Sequence, residues 1–553
     1  MSYYKIRGSK IMKNISKFII YFIFIFFTIE LYSQVNSPPY MPPGANLRPK
    51  SDLFNFDAGI NQYNKDTFLY LNPTFNFNTS SWGVGFQLPM NLLLLDKDPK
   101  FDNSKVGMLR PGDYDSKTDY QRILNYAWLG DYGYYEPKKV TYSVYLGKMF
   151  DGYIGHGTIV NRYVNNLTID NYKLGVMADV NTDWGGVQVF TNSIYERDVN
   201  AARVYIRPYG SFIGLYRYFT GADVPAFMMP GNVLDAVGRK KAYEEADDYK
   251  PNTRTVIERD EKGKLVERQV PASIPLKEKP KDNYGYDSIW NRFAIGFTNA
   301  FDSKAPNLLE YDTTGQVKYD STNNLKVKSS TRLSIQGVDA EFKVINKSWL
   351  ELTPYVDFNK LKNFDNANGR HYGILFKWGG QNVKLVIKPE YRTMNKNYIP
   401  MYFDSFYEVE RYQIAQENTI STTKYQYVSG LDSSVNTVNG YFHSAILTIY
   451  NIGFEVNYED YQGSNNSRIF TGLYVPIKDF VRISGFYIKK GFDKSGEAFK
   501  LDDKSMGVGE IAVNLGVITL KLQNRRRWIF DQTTNSYVAL DEQMVLFSGS
   551  KGF

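Results

Sequence analysis

Short stretches in which apolar and polar residues alternate with a period of two recur from Leu53 to the end of the chain, and beyond the N-terminal region no run reaches 18 consecutive apolar residues. Neighbouring side chains on a strand point to opposite faces, so this pattern predicts strands with one apolar and one polar face. Tyr172, Leu174, Val176, Ala178 and Val180 share a face, opposed by Lys173, Gly175, Met177, Asp179 and Asn181. Leu350, Leu352, Pro354, Val356 and Phe358 are likewise opposed by Glu351, Thr353, Tyr355, Asp357 and Asn359. The division repeats in 452–459 and 518–525. Any one such strand suits a soluble sandwich. About twenty of them (range 18–22), near the ~10-residue length that crosses a tilted bilayer path, suit a transmembrane antiparallel up-and-down β-barrel.

Composition narrows the reading further. The chain has 45 Tyr and 36 Phe against 7 Trp, 3 His and no Cys. Aromatic rings fit a pleated surface and the two interfacial girdles of a barrel. Without cysteine there is no disulfide framework, thiolate metal site, thiol nucleophile or lipidated N-terminal cysteine.

Residues 1–33 read as a secretory signal: Lys5, Arg7, Lys10, Lys13 and Lys17 precede an apolar run from Phe18 to Ile29, with cleavage expected after Ser33. That run is shorter than the roughly 20 apolar residues of a spanning helix. Its removal takes away five basic groups and one acid, lowering the formal charge from +8 to +4, too little to indicate nucleic acid. Residues 34–52 form a Pro-rich linker, too short for a plug domain of the TonB-dependent kind, and 53–553 form the barrel.

Connection lengths alternate as a barrel requires, with short turns (78–81, 183–185, 346–349, 379–381, 478–480) between longer external loops (96–119, 151–170, 302–331, 359–369, 393–439, 493–506, 527–541). The counts from the two termini agree only if the insert 210–291 lies at the short-turn, periplasmic side. Within it, Asn232–Tyr249 reads as a polar helix and 254–270 as a charged hairpin around Lys262-Gly263. Ile213–Thr220 is an alternative strand that would make the count odd. Apolar register shifts near Gly337 and Gly485 suggest bulges.

Ionised groups facing lipid cost about 2–4 kcal/mol each at the midplane for Lys or Arg, so those on the polar faces are expected to face the lumen. They are Lys173, Asp179, Arg203, Arg207, Glu351, Asp357, Lys384, Lys388, Glu390, Arg392, Glu455, Glu459, Lys521 and Arg525. Their mixed signs give no anion or cation preference.

No catalytic, cofactor or metal site emerges. Gly152–Gly157 (GYIGHG) is not followed by an amphipathic helix and reads as a glycine-shaped external loop rather than a phosphate cradle. His156, His371 and His443 lie far apart in sequence, and His443-Ser444, as neighbours on a strand, face opposite ways. Asp113, Asp115 and Asp119 lack calcium-loop spacing and read as a solvated turn.

The stretches GHGTIVNRYVNNL (155–167), ARVYIRP (202–208), GVDAEFKV (337–344), LTPYVDF (352–358) and YFDSFYEVERYQ (402–413) resemble a family of uncharacterised porin-like outer-membrane β-barrel proteins of Gram-negative bacteria. The resemblance covers most of 120–460, leaves the insert unmatched, and implies a barrel without any assigned site residue. Phe553 resembles the terminal aromatic residue read by the barrel-assembly machinery. The expected location is therefore the outer membrane, with outer-membrane lipid, lipopolysaccharide and the assembly machinery as partners, and a periplasmic partner open for the insert. The leading functional expectation is a channel or transporter for small polar solutes. A closed barrel serving as a structural or surface-binding platform, with 393–439 and 96–119 as its loops, stands second. An outer-membrane hydrolase stands last, because histidine is scarce and unpaired in sequence.

Overall fold

The computed structural model describes residues 54–551 except 64–65, 98–104, 111, 131–138, 222–252, 260–264, 272–287, 321–323, 381, 414–421, 432–435, 479 and 517. The signal peptide, the Pro-rich linker, the Asn232–Tyr249 helix, the Lys262-Gly263 turn and Phe553 lie outside the described residues.

The first strands are β1 (Phe54–Tyr63), β2 (Asp66–Asn78), β3 (Trp82–Gln87), β4 (Met90–Leu95), β5 (Leu124–Gly130), β6 (Thr141–Gly147), β7 (Gly175–Asn181), β8 (Gly185–Thr191) and β9 (Val199–Ile206). Helix α1 (Pro208–Thr220) and a separate hairpin of β10 (Thr253–Arg259) and β11 (Leu265–Pro271) follow. The wall resumes with β12 (Phe293–Leu309), β13 (Val327–Phe342), β14 (Ile345–Lys347), β15 (Leu350–Leu361), β16 (Asn368–Gly379) and β17 (Val383–Asn395). Two short helices, α2 (Tyr407–Glu410) and α3 (Lys424–Ser429), precede β18 (Thr437–Ile449), β19 (Ile452–Tyr461), β20 (Ser467–Ile477) and β21 (Val481–Phe492). The chain closes with β22 (Ser505–Asn514), β23 (Thr519–Asp531) and β24 (Ser536–Lys551).

Every wall strand pairs antiparallel with its neighbours in sequence, and β1 pairs with β24 from Phe54↔Lys551 to Tyr63↔Glu542, so the sheet has no free edge. The 22 sheet strands make twenty staves, because β3 and β4 share β2 as partner and β13 and β14 share β15. The first break falls at Leu88-Pro89, where proline has no N–H for the ladder. The twenty staves coincide one for one with the alternating segments of the sequence.

Burial follows the period-two pattern. On β19, Ile452, Phe454 and Tyr458 are exposed while Glu455, Asn457 and Glu459 are buried. On β15, Phe358 is exposed while Thr353, Tyr355, Asp357 and Asn359 are buried. In a closed cylinder the exposed apolar alternates are the outside. That outside carries two aromatic bands. Trp82, Trp184, Trp290, Trp349 and Trp378 are about half exposed at the short-turn end. Phe358, Tyr372, Tyr391, Tyr441 and Tyr458 form a ribbon across β15–β19 near the other end, with Tyr391 and Tyr441 ring centroids 5.5 Å apart. Trp349 and Phe358 are nine residues apart; at ~3.3 Å per residue and a ~40° tilt this is roughly 23 Å of height, the span of an apolar membrane belt.

One alternative is set aside and two expectations are corrected. Ile213–Thr220 belongs to α1, not to a strand: Pro208 opens the helix, Gly221 (φ 67°) closes it, and Tyr209, Gly210, Ile213 and Gly214 are buried at helical spacing. The stave count therefore stays even. Neither Gly337 nor Gly485 is a bulge; both pair in regular register. They are glycines because a Cβ would meet Asn359 Oδ1 at 2.1 Å and Val508 O at 2.5 Å. In these two ladders the register shifts fall instead between Asp302 and Leu309 and at Gly491, whose φ is 68°. Finally, some external connections are shorter than hydropathy suggests. The β23–β24 ladder runs on through Arg526↔Asp541 to Asp531↔Ser536, leaving 532–535 in place of 527–541. There opposite charges across the ladder replace apolar alternation.

Counting antiparallel staves places the connections 79–81, 182–184, 348–349, 380–382, 450–451 and 478–480 at one end, together with both sheet termini and the insert. The long connections 96–123, 148–174, 310–326, 396–436 and 493–504 share the other.

Ile374 lies on the outer face midway along β16. Ile374→Lys is expected to cost about 2–4 kcal/mol of stability in lipid vesicles, measured by denaturant titration, with an equivalent loss absent for an exposed loop position such as Thr314→Lys.

Candidate constriction inside the barrel

The two longest well-described loops do not extend away from the wall; they fold into it. In 148–174, Ile159, Val160, Tyr163, Val164 and Leu167 are almost wholly buried. The sharp path is made by Gly155 (φ 58°), Gly157 (φ 74°) and Arg162 (φ 52°). A parallel bridge Val160↔Phe403 joins it to 396–413, and Thr168↔Trp528 joins it to β23. Along the way Gly155 N–H donates to Gln188 Oε1 on β8 (3.0 Å), the Thr158 hydroxyl donates to Asp357 on β15, and Arg162 pairs with Glu455 on β19. The Arg162 guanidinium sits 3.6 Å over the Phe470 ring on β20. Staves from all sides of the cylinder are touched, so this loop crosses the interior. An apolar cluster of Ile154, Val160, Tyr163, Phe403 and Tyr407 against Phe190, Ala201, Ala300, Leu333 and Leu361 fixes both segments to the wall.

The GYIGHG run thus packs inside the barrel instead of forming an exposed external loop. A Cβ on Gly155 would meet Arg203 Cδ at 3.0 Å. His156 stacks on the Tyr355 ring, 4.0 Å between centroids and 10° between planes, with Nε2 3.5 Å from Glu341 and 3.6 Å from Asp339. His156 and His371, 215 positions apart, approach one network that no local pattern announces. His371 lies 3.1 Å from Glu390 and 3.3 Å from Tyr398 Oη, and the Tyr355 hydroxyl donates to the same Glu390 (2.5 Å). His443, by contrast, is stacked with Tyr441 on the outer face. Asp113 and Asp119 are not solvated: Arg110 and Arg122 pair with Asp113 at 3.0 and 3.2 Å, and Arg122 with Asp119 at 3.4 Å, all buried.

The charges singled out in the sequence are distributed as follows. Arg203 makes a bidentate pair with Asp339 (2.9 and 2.5 Å). Glu390 pairs with Arg392, Arg392 with Glu459 (2.9 Å), and Arg468 bridges Glu459 (3.0 Å) and Asp404 (2.8 Å) of the inward segment. Lys388 donates to the His156 carbonyl. Asp179 is buried beside Asn181 (2.9 Å), and Lys521 pairs with Asp57 (3.1 Å). Glu351, half-buried, takes Lys343 and Lys377 at 3.0 Å each. Arg525 is half-buried and faces Glu542 across the ladder. Lys384, near the short-turn end of β17, is exposed. Two are not on strands: Arg207 precedes α1 and donates to the Thr182 carbonyl, and Lys173 belongs to the inward loop.

Lys173 exposes what alternation could not. It pairs with Glu408 at 2.8 Å and Glu196 at 3.0 Å, and Glu408 also accepts from Asn192 (3.0 Å) and Tyr163. Arg411 pairs with Asp302 (3.0 Å) and Asp198 (3.1 Å). Burial alone would raise the Glu408 carboxyl, but Lys173 and Arg411 hold it below the usual glutamate range. Asp404 is likewise held low, against its burial, by Lys424, Arg468 and Lys490. Among the described residues no cluster of side chains has the composition to hold a metal ion.

No protein-family model matches the chain, and no curated protein sequence matches it. Among solved structures it is similar to OpdL of Pseudomonas aeruginosa (8% identity over 90% of this chain and 96% of that one, TM-score 0.26). It is also similar to a BenF-like porin of Pseudomonas fluorescens Pf-5 (9%, 91% and 98%, 0.28) and to OccAB3 of Acinetobacter baumannii (8%, 90% and 98%, 0.29). Identities and scores this low carry no assignment of their own. On its own architecture the chain is a closed antiparallel β-barrel of the outer-membrane type.

Removing Glu408 leaves Lys173 and Arg411 buried with less compensation. Glu408→Ala is expected to weaken docking of 396–413 by about 3–5 kcal/mol, read as faster hydrogen exchange in that segment than in the wall. The pH dependence has a definite sign. A carboxyl held below its ordinary value contributes docking stability above that value and loses it as pH falls through the lowered one. Protection of 396–413 from exchange, taken relative to the intrinsic rate at each pH, should therefore fall below about pH 4, and Glu408→Gln should remove its share of that fall.

Proposed function

We propose that the protein is an outer-membrane porin-like channel for small polar solutes, narrowed by its two inward segments. The carrying observation is where those segments meet the wall. Between them and β18–β21 lies a cavity of about 30 Å³ lined by Asn161, Arg162, Ser405, Glu459, Arg468 and Phe470. That is room for one or two water molecules, so on this reading a solute passes only when the charged pairs there part. Arg162 and Arg468 stand against Glu455, Glu459 and Asp404, so a solute passing there meets both signs of charge at close quarters. In this reading the residues predicted to face the lumen line the path on either side of the constriction. The short-turn end and its insert face the periplasm and the long loops the cell surface. The outer belt meets phospholipid and lipopolysaccharide, and the barrel-assembly machinery inserts the chain.

One observation favours a second reading, a closed barrel acting as a platform: the apolar cluster anchoring the two segments resembles a permanent core more than a mobile lid. A hydrolase reading gains nothing from His156 and His371, whose ring contacts are carboxylates and tyrosines.

Planar-bilayer recording separates the first two. The native protein is expected to give small, discrete conductance steps, and Arg162→Ala with Arg468→Ala to enlarge them. Silence from the native protein and from a variant lacking 396–431 would establish the closed platform.

A further inference from the structure

Helix α1 has two faces of different character. Gly210 and Gly214 seat one face on the 182–184 turn: a Cβ would lie 2.0 Å from Asp183 O at Gly210 and 2.5 Å from the Trp184 ring at Gly214. Only glycine permits this approach, so the rotation of the helix about its axis is fixed. At 100° per residue the opposite face is Phe212, Leu215 and Phe219, flanked by Tyr218. These four side chains are 43, 58, 77 and 81% exposed.

We propose that this face docks into the phospholipid leaflet at the short-turn end of the barrel. The face continues an existing membrane surface: α1 begins two residues after Ile206, which is exposed on the outer wall, and rests on Trp184 of the tryptophan band. Its chemistry matches the interface between headgroups and acyl chains. Aromatic rings favour that layer, and the 13-residue helix carries no acidic residue to oppose lipid phosphate. The proposal rests on the barrel being membrane-embedded and is independent of conductance.

Because the chain has no cysteine, one can be added anywhere and labelled alone. Phe219→Cys carrying an environment-sensitive fluorophore is examined in the full-length protein, reconstituted in phosphatidylethanolamine/phosphatidylglycerol vesicles. Phe297→Cys on the outer wall and Thr314→Cys in a long loop serve as membrane and water references. The expected result is emission blue-shifted toward the Phe297 reference, with quenching by shallow lipid-attached quenchers and protection from aqueous iodide. Water-like emission at 219 alongside a buried 297 would overturn the proposal and leave the barrel standing. A blue shift insensitive to lipid quenchers, retained in detergent, would also overturn it by showing that protein covers the face. Water-like emission at both positions would instead overturn the membrane placement itself.

Discussion

Everything in this molecule depends on the ladder between β1 and β24. In hydrocarbon an unpaired backbone N–H or C=O has no water to turn to, and each costs several kcal/mol. Pairing from Phe54↔Lys551 to Tyr63↔Glu542 removes the last two edges, using residues almost 500 positions apart. Closure then gives the period-two pattern its meaning. Once the sheet is a cylinder, one set of alternates meets lipid and the other has only the interior, so Phe454 and Glu455 on β19 answer to different solvents.

That division made the wall legible in the sequence. Each stave declares itself locally, because a misplaced charge on the outer face costs more than any loop conformation can recover. Where the outer face leaves the membrane the signal fades before the strand does, as on β23, where Arg525, Arg526 and Arg527 continue the ladder that hydropathy ends. The interior was less legible. Thr158 meets Asp357, Arg162 meets Glu455 and Tyr163 meets Glu408, contacts separated by some two hundred residues or more and carrying no periodicity. Lys173 shows the error this produces. Alternation extended β7 back to Tyr172, whereas the strand starts at Gly175 and the preceding residues turn inward, where Lys173 meets Glu408. Asp113 and Asp119 escape detection for the opposite reason: their Arg110 and Arg122 partners lie so near in sequence that the group reads as a solvated turn.

Parity is the quieter consequence of closure. A chain with both ends of its sheet on one side must cross an even number of times, and the 207–292 connection was the one place where an extra crossing fitted. The chain resolves it with glycine. Gly210 and Gly214, four residues apart, share one face of the helix, and together they seat α1 on the 182–184 turn. An apolar run that would pass for a stave becomes a helix at the rim.

The wall and its contents are held by different forces. Between staves the contacts are hairpin neighbours and backbone hydrogen bonds, which survive any rearrangement inside. The inward segments are held by an apolar cluster at one side and by buried ion pairs at the other, among them Lys173–Glu408 and Arg468–Asp404. Well-packed apolar residues would hold a permanent plug at least as firmly, since desolvating two charges offsets much of their attraction. Charges retained in that position make sense where water or a polar solute has to share the space, because a hydrated group can then replace a lost partner. On the proposed reading, the pairs between Arg162, Arg468 and their carboxylates are the part of the constriction that exchanges partners during passage, while the Tyr163–Phe403–Tyr407 cluster stays fixed.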